Sequence, residues 1–156
     1  MSEVILRGLT DEAVREKLKH ITEDVTSIQL LLSELTEVPD LSHLTNLSTL
    51  VLCRNNVIDV SGAHIPEFVT LLTLNWNKLT AVPDFSHLAN LSTLRLGENN
   101  ITEINVSHIP ISVTEINLSG NKLTEVPDFS KHINLSEIFL QLNNITQVNG
   151  SHSLLV

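Results

Sequence analysis

The sequence is poor in cysteine, aromatic residues and positive charge, and these shortages exclude several classes of protein. Cys53 is the only cysteine among 156 residues, so no intramolecular disulfide can form, and a reducing compartment is favoured. No apolar run approaches the ~20 residues of a membrane-spanning helix. The first residues lack the basic and then apolar plan of a secretory signal. We therefore expect a cytoplasmic protein without membrane insertion, with secretion or delivery into a host cell left open.

Basic residues are half as numerous as acidic ones. Nine Lys and Arg stand against 18 Asp and Glu, which gives a formal net charge of −9. Proteins that bind nucleic acid need clustered Lys and Arg to displace counterions from the phosphates. Anionic membrane surfaces attract the same two residue types. The charge therefore predicts neither a nucleic-acid partner nor a membrane partner.

Most of the chain repeats one unit of 22 residues without a slip. The first column of this repeat contains Leu50, Leu72, Leu94, Ile116 and Ile138. A Leu follows each of these two positions later and an Asn five positions later, while Ile28, Leu30 and Ser33 form a degenerate first copy. A chain built this way stacks its units around a continuous core, which favours a binding surface over a catalytic pocket.

Alternation around each Leu-x-Leu predicts a strand with its Leu residues inward, and the following Asn is expected to hydrogen-bond the turn as a ladder. The first 24 residues differ from the repeats. We predict an extended segment from Glu3 to Leu6 and a helix over residues 11–20, with Thr10 or Asp11 as its cap. The predicted organisation is an N-terminal helical cap (1–24), six leucine-rich repeats (25–148) and a tail (149–156).

Residues 25–148 resemble leucine-rich repeat proteins. Each unit fits the frame LxxLxLxxNxL, and IPISVTEINLSGNKLTEVPD is similar to the short repeats of bacterial leucine-rich effector and surface proteins. The alternation of two repeat kinds also resembles small leucine-rich proteoglycans, whose cysteine-clamped ends are missing here. The resemblance implies an α/β solenoid, a right-handed horseshoe with a parallel sheet on its concave face and irregular or 3₁₀ segments behind. It also implies protein recognition through the concave face.

A second period of 44 residues lies over the first, since residues 41–60 recur at 85–104 and, more loosely, at 129–148. His43 and His87 are copies of this kind, as are His64 and His108. Strand spacing would put such copies roughly 10 Å apart. Metal ligands lie about 2.0–2.1 Å from a shared zinc ion. The repeated histidines are therefore interpreted as turn or surface residues, and the sequence predicts no metal and no cofactor.

Other repeated motifs have structural interpretations too. The Val-Pro-Asp triplets at 38–40, 82–84 and 126–128 predict turns capped by Asp rather than catalytic acids. The eight N-x-S/T sequons are interpreted as copies of the repeat, with glycosylation in a secreted protein as the alternative. Phe85 and Phe129 fit a buried spine. His132 replaces a Leu of the pattern and indicates a loosened last repeat.

Variation between units is concentrated on the side chains predicted to face outward from the sheet. Trp76, the only tryptophan, combines with nearby Arg residues in a composition typical of binding hot spots. A Trp that lies flat on the sheet and only stabilises it is the alternative. Gly97 and Gly120 are expected to leave room for an incoming side chain. The predicted partner-binding residues are Val51, Arg54, Leu71, Asn75, Trp76, Arg95, Glu98 and Phe139.

The sequence therefore predicts a non-catalytic module that binds a protein partner through the concave face. Cys53 has no basic partner at a fixed spacing, which disfavours a hydrolase or a ligase. The alternative is a structural or assembly protein that self-associates through its C-terminal edge. The last strand, around residues 136–142, would leave that edge open unless Leu154, Leu155 and Val156 fold back over it.

Overall fold

Seven parallel strands form one sheet whose order follows the chain. The computed structural model describes residues 2–146, so the predicted tail at 149–156 lies outside the described residues. The connections contain the helix α1 (Asp11–Leu18) and two 3₁₀ segments, Gly62–His64 and Val106–His108. The strands are β1 (Ser2–Arg7), β2 (Val25–Leu31), β3 (Thr49–Val51), β4 (Leu71–Thr73), β5 (Thr93–Arg95), β6 (Glu115–Asn117) and β7 (Glu137–Phe139).

Strands from β2 onward pair with a constant offset of 22 residues. The offset stacks one fully buried aliphatic column, which contains Ile28, Leu50, Leu72, Leu94 and Ile116. Side chains of a strand alternate between its two faces, so the flanking residues point to the opposite face of the sheet. The predicted inward columns and the parallel sheet are confirmed.

The N-terminal segment contributes a strand to the sheet as well as a helix. β1 pairs with β2 and places Val4 opposite Ile28 and Leu6 opposite Leu30, because its alternation repeats the inward aliphatic pair of a repeat unit. Thr10 caps α1 by accepting a hydrogen bond from the Ala13 amide at 3.3 Å. The helix ends at Leu18, two residues before the predicted end at residue 20.

Asparagine side chains, buried in every unit but the last, close the turn that follows each strand from β3 onward. In the unit of Asn99, Nδ2 donates to the carbonyls of Leu74, Leu96 and Gly97 at 3.0, 3.1 and 3.2 Å. Its Oδ1 accepts from the Leu79 amide at 3.0 Å. One side chain therefore satisfies main-chain groups in its own unit and in the preceding one. The equivalent residues Asn55, Asn77, Asn121 and Asn143 donate in the same pattern, which confirms the predicted ladder.

The 44-residue period has its physical basis on the back of the solenoid. Val-Pro-Asp units carry a large buried residue such as Phe85, whereas the alternate units form the 3₁₀ segments. His108 Nδ1 donates to the carbonyl of Val82 at 3.0 Å, and His64 makes the same bond to Val38. Each such histidine ties a 3₁₀ segment to the unit before it, so the two kinds of unit pack as pairs.

His132 is a polar residue of the last unit. The side chain is buried, its Nε2 donates to the Ile109 carbonyl at 2.9 Å, and its ring meets Phe129 edge-on at 5.4 Å between centroids. The imidazole takes the place of Leu44 and Leu88 with a directed bond, while its Nδ1 has no hydrogen-bond partner among residues 2–146. Hydrophobic residues of this unit such as Leu135 and Ile138 are only partly buried, so its looser packing stays a prediction. Phe85 is fully buried, while Phe129 is only partly buried and packs against the core.

Replacing Asn99 by Ala should destabilise the solenoid by about 3 kcal/mol, because the change leaves buried carbonyls and an amide without partners. Asn100→Ala is the matched control, since the side chain of Asn100 makes no hydrogen bond within residues 2–146, and it should cost less than about 0.5 kcal/mol. Urea unfolding followed by circular dichroism measures both. Equal midpoints for the two variants would contradict the structural role of the ladder.

Candidate binding surface

The outward face of the sheet carries the side chains that differ between units. Val51 and Arg95 are the last residues of β3 and β5 on this face, and Leu71 is the first residue of β4. Val51 pairs with Thr73, so Val51 and Leu71 lie diagonally across two neighbouring strands, within about 7–8 Å of each other. The β3–β4 part of the face therefore presents an aliphatic floor, with Val51 and Leu71 both half-buried.

The residue before each ladder position has a left-handed backbone. Arg54, Trp76 and Glu98 have φ values of 58°, 62° and 56°, and Gly120 has 66°. The amide of each such residue donates to a carbonyl of the next unit, as Trp76 does to Gly97 at 3.0 Å. A non-glycine residue in this region costs about 1 kcal/mol, so the turn is held by the ladder and the sheet. Gly120 occupies the same position of the repeat as Arg54, Trp76 and Glu98, and this glycine is a sequence signal for the left-handed turn that the sequence-based prediction did not include.

Arg54 and Trp76 form the most exposed contact among the predicted site residues. The Arg54 Cζ lies 5.3 Å from the centroid of the Trp76 ring, which is a cation–π distance. Trp76 remains 51% exposed. The two residues occupy the same turn position in neighbouring units, so their left-handed backbones turn both side chains out of the sheet together. The indole is thus partly covered by a neighbour and still open on its remaining surface.

Arg95 and Asn75 are engaged within the protein. Arg95 Nε donates to Glu115 Oε1 at 2.8 Å, and this hydrogen bond to a carboxylate raises the pKa of the guanidinium. Asn75 Oδ1 accepts from the Gly97 amide at 2.7 Å. A partner that contacts either side chain must therefore compete with an existing bond, whereas the Trp76 ring has no such bond to lose.

The expected free space at the two glycines is filled. A Cβ at Gly97 would lie 3.2 Å from Asn117 Oδ1 and 3.3 Å from Asn75 Oδ1. A Cβ at Gly120 would lie 2.5 Å from the Glu98 carboxylate. The glycines admit side chains of the protein itself rather than a side chain from outside, so this expectation is wrong.

Phe139 lies at the other end of the face from Val51 and only two strands from Arg95. Phe139 is on β7 and pairs with Asn117 of β6. β7 is four strands beyond β3, so Phe139 and Val51 are about 19 Å apart at the usual strand spacing. At the opposite end of the face, the sequence reasoning missed Ile5 and Leu32, which are 56% and 41% exposed. The signal for Ile5 was the alternation of β1, and the signal for Leu32 was its place in the column of Arg54 and Trp76.

The chemistry at Cys53 does not resemble that of an activated nucleophile. Burial raises the pKa of its thiol, and the opposing effects of the Asn75 backbone and of Arg54 and Arg95 are smaller. Within residues 2–146, no group of three or more His, Cys, Asp and Glu side chains is placed to hold a metal ion. Across the same residues, no helix is both long enough and apolar enough to span a bilayer.

Sequence comparison finds a relative that matches part of this chain. No protein-family model matches the chain. A curated relative, U2 small nuclear ribonucleoprotein A′ of Saccharomyces cerevisiae, is 41% identical over 63 residues, which are 38% of this chain and 26% of the relative. The match is therefore confined to a part of both proteins.

Solved structures share the fold over most of the chain. An internalin, InlF of Listeria monocytogenes, has a TM-score of 0.76 with 20% identity and covers 94% of this chain and 43% of its own. TLR13, solved in complex with ssRNA13, has a TM-score of 0.72 with 25% identity and covers 87% and 21%. YopM, a leucine-rich effector protein of Yersinia pestis, has a TM-score of 0.64 with 16% identity and covers 83% and 41%. The chain spans less than half the length of each.

Arg54→Ala should uncover one face of Trp76 and raise its acrylamide quenching, because the guanidinium no longer lies over the ring. The lost contact should cost about 0.5–1 kcal/mol of stability. Arg95→Ala is the matched control, since Arg95 pairs with Glu115 instead. Fluorescence of the single Trp measures both variants, and equal quenching in Arg54→Ala and the wild type would show that the stack does not persist in solution.

Alkylation of Cys53 should require a higher pH than alkylation of an unhindered thiol. The folded pKa is raised, so the reactive thiolate forms only as the pH rises above the usual value of about 8.5. Mass spectrometry of iodoacetamide labelling from neutral to alkaline pH gives the profile, with urea-unfolded protein as the control. A folded profile that inflects below the unfolded one would contradict the effect of burial.

Proposed function

We propose that this chain, a leucine-rich repeat solenoid by sequence pattern and by fold, is a non-catalytic module that binds a protein partner through the concave face of its sheet. The centre of the proposed site is the Trp76 surface, defined here as Val51, Arg54, Leu71 and Trp76. The observation that carries the proposal is the half-exposed indole stacked with Arg54 at the turn after β4.

The composition of the Trp76 surface suits a protein partner. Trp and Arg are enriched among residues that dominate protein–protein affinity, and a rigid aromatic anchor loses little side-chain entropy on binding. The stack orients Arg54, so its guanidinium N–H groups are available to a carboxylate or carbonyl of the partner. We infer a partner segment that places an apolar side chain against Trp76 and an acceptor beside Arg54.

Charge favours protein over RNA as the partner, even though one structural relative was solved with RNA. Glu98, Glu115 and Glu137 lie on the same sheet face, and Glu115 neutralises Arg95. A face of this kind offers an RNA backbone few unpaired cations. The net charge of −9 acts in the same direction at longer range.

A non-catalytic role is consistent with the same surface. The thiol of Cys53 is the single nucleophile of its kind in the chain, and the rise in its pKa lowers the thiolate fraction at neutral pH. The buried side chain of Asn99 in the ladder is occupied by main-chain bonds and does not face the surface. Structural relatives with this fold include an internalin and an effector protein, and we extend an interaction role to this chain as part of the proposal.

Affinity capture with the immobilised chain, followed by titration of the purified partner, tests the proposal. Trp76→Ala should weaken binding by at least about 2 kcal/mol, roughly thirtyfold in Kd, since it removes the proposed anchor. Phe68→Ala is the matched control, because this aromatic side chain is 48% exposed and lies outside the concave face.

Both variants must retain the wild-type circular dichroism and urea midpoint before affinities are compared. Unchanged affinity in Trp76→Ala, or equal losses in both variants, would remove the Trp76 surface from the site. A labelled single-stranded RNA in the same titration covers the other partner class. Tight RNA binding that weakens steeply with salt would overturn the choice of a protein partner.

A further inference from the structure

The two edges of the sheet differ in how open they are to pairing. β1 (Ser2–Arg7) has six residues, whereas β7 (Glu137–Phe139) at the other edge has three. Natural sheets usually protect an edge with a short strand, a proline or a bulge. β1 has no proline, and the one irregularity in its pairing lies between Ser2 and Glu3, at the start of the strand. The longer and less protected edge is therefore the N-terminal one.

The backbone of β1 presents a regular row of free groups at this edge. The Gly8 amide donates to the Leu31 carbonyl at 3.1 Å, so it points toward β2. Backbone groups of a strand alternate in direction, and the groups of Leu6 and Val4 therefore point toward β2 as well. The amides and carbonyls of Glu3, Ile5 and Arg7 point the other way, along the open side of the strand.

The sequence of β1 is complementary to itself when two copies run antiparallel. A two-fold axis at Ile5 places Glu3 opposite Arg7 of the second copy and Arg7 opposite its Glu3. It also places Val4 opposite Leu6 on the core side and Ile5 opposite Ile5 on the outward side. Glu3, Ile5 and Arg7, whose backbone groups point to the open edge, then face one another across the axis. This is the condition for hydrogen-bonded pairs in an antiparallel ladder.

The side chains of the edge are available for this pairing. Ile5 is 56% exposed, and Val4 and Leu6 are only partly buried. No carboxylate among residues 2–146 lies within ion-pair distance of Arg7. Glu3 accepts hydrogen bonds only from neutral donors, Gln29 at 2.7 Å and Ser27 at 3.4 Å. The dimer would supply both charges with an opposite partner and cover the exposed Ile5.

The helix does not block the edge. α1 buries Val14 and Leu18 in the core, and its Arg15 lies 3.8 Å from Glu37 of the following unit. These contacts hold the helix against the repeat units, and the edge of β1 that faces away from β2 stays uncovered by it. A second strand can therefore approach β1 in the plane of the sheet.

We propose that β1 is a self-association edge through which two copies of this chain form a two-fold symmetric dimer with one continuous sheet. The register is antiparallel about Ile5, with two Glu3–Arg7 pairs across the axis. Such an interface uses the same patch on both copies, so it closes at two and leaves both Trp76 surfaces on the outward face. It differs from association through β7, which would leave β1 free.

Exchange of the charges at positions 3 and 7 tests the antiparallel register. Glu3→Arg and Arg7→Glu should each weaken the dimer by at least about tenfold, because each change sets like charges opposite each other twice. The double variant carrying both changes should dimerise again, since every pair regains opposite charges. An equimolar mixture of the two single variants should also form heterodimers. Sedimentation velocity over a range of concentrations measures the species, with dimers at twice the chain mass of 17.3 kDa.

Glu137→Arg on β7 is the matched control and should leave the dimer constant unchanged. A wild-type chain that stays monomeric at millimolar concentration overturns the proposal. Loss of dimer in Glu137→Arg, or open-ended oligomers in place of dimers, would assign association to the C-terminal edge. Failure of both the double variant and the mixture to pair would exclude the proposed register even if the wild type dimerises.

Discussion

The rest of the structure depends on how the protein satisfies the peptide groups that are buried where each strand ends. At these points the chain turns at the boundary of an aliphatic core, and the strand ladder no longer supplies partners. The asparagine amide is short, donates and accepts, and reaches two successive units at once, as Asn99 does with Leu74 of the preceding unit and Leu96 of its own. An insertion in one unit would break these bonds in two units, which is a physical reason for a repeat of constant length.

The same constraint shapes the proposed binding surface. An asparagine can point inward only if the residue before it leaves the strand direction, and that residue is left-handed at Arg54, Trp76 and Glu98. The turn therefore projects these side chains from the end of the strands, where neighbouring units bring them into contact. Stability and recognition are linked here, because the bonds that hold the turn also hold the Arg54–Trp76 stack in place.

The two ends of the solenoid show what happens where this pattern stops. Asn55 lies at the first rung, and its Oδ1 has no hydrogen-bond partner among residues 2–146, whereas the Oδ1 of Asn77 accepts from the Val57 amide at 3.0 Å. The long pairing of β1 with β2 stabilises this end instead. At the other end, His132 packs edge-on against Phe129 where the preceding pairs of units have a leucine, Leu44 or Leu88, in place of the histidine. Each end therefore uses contacts that the repeat itself does not encode.

The solenoid, its inward columns, the asparagine ladder and the capped helix could all be predicted from the amino-acid sequence. Each of these follows from the spacing of residues within one or two units, as with Leu94 and Asn99. Contacts between side chains of different units could be known only from the folded chain: Glu98 fills the space at Gly120, His132 is buried, Arg54 covers Trp76, and Ile5 lies on an edge strand of the sheet. These outcomes depend on which side chains of different units meet, and on which strand has no neighbour. The repeat period and the composition predict neither the contacts between units nor the strand that lies at the edge. The inward residues are the same in each unit, whereas the contacts on the outward face differ from one unit to the next.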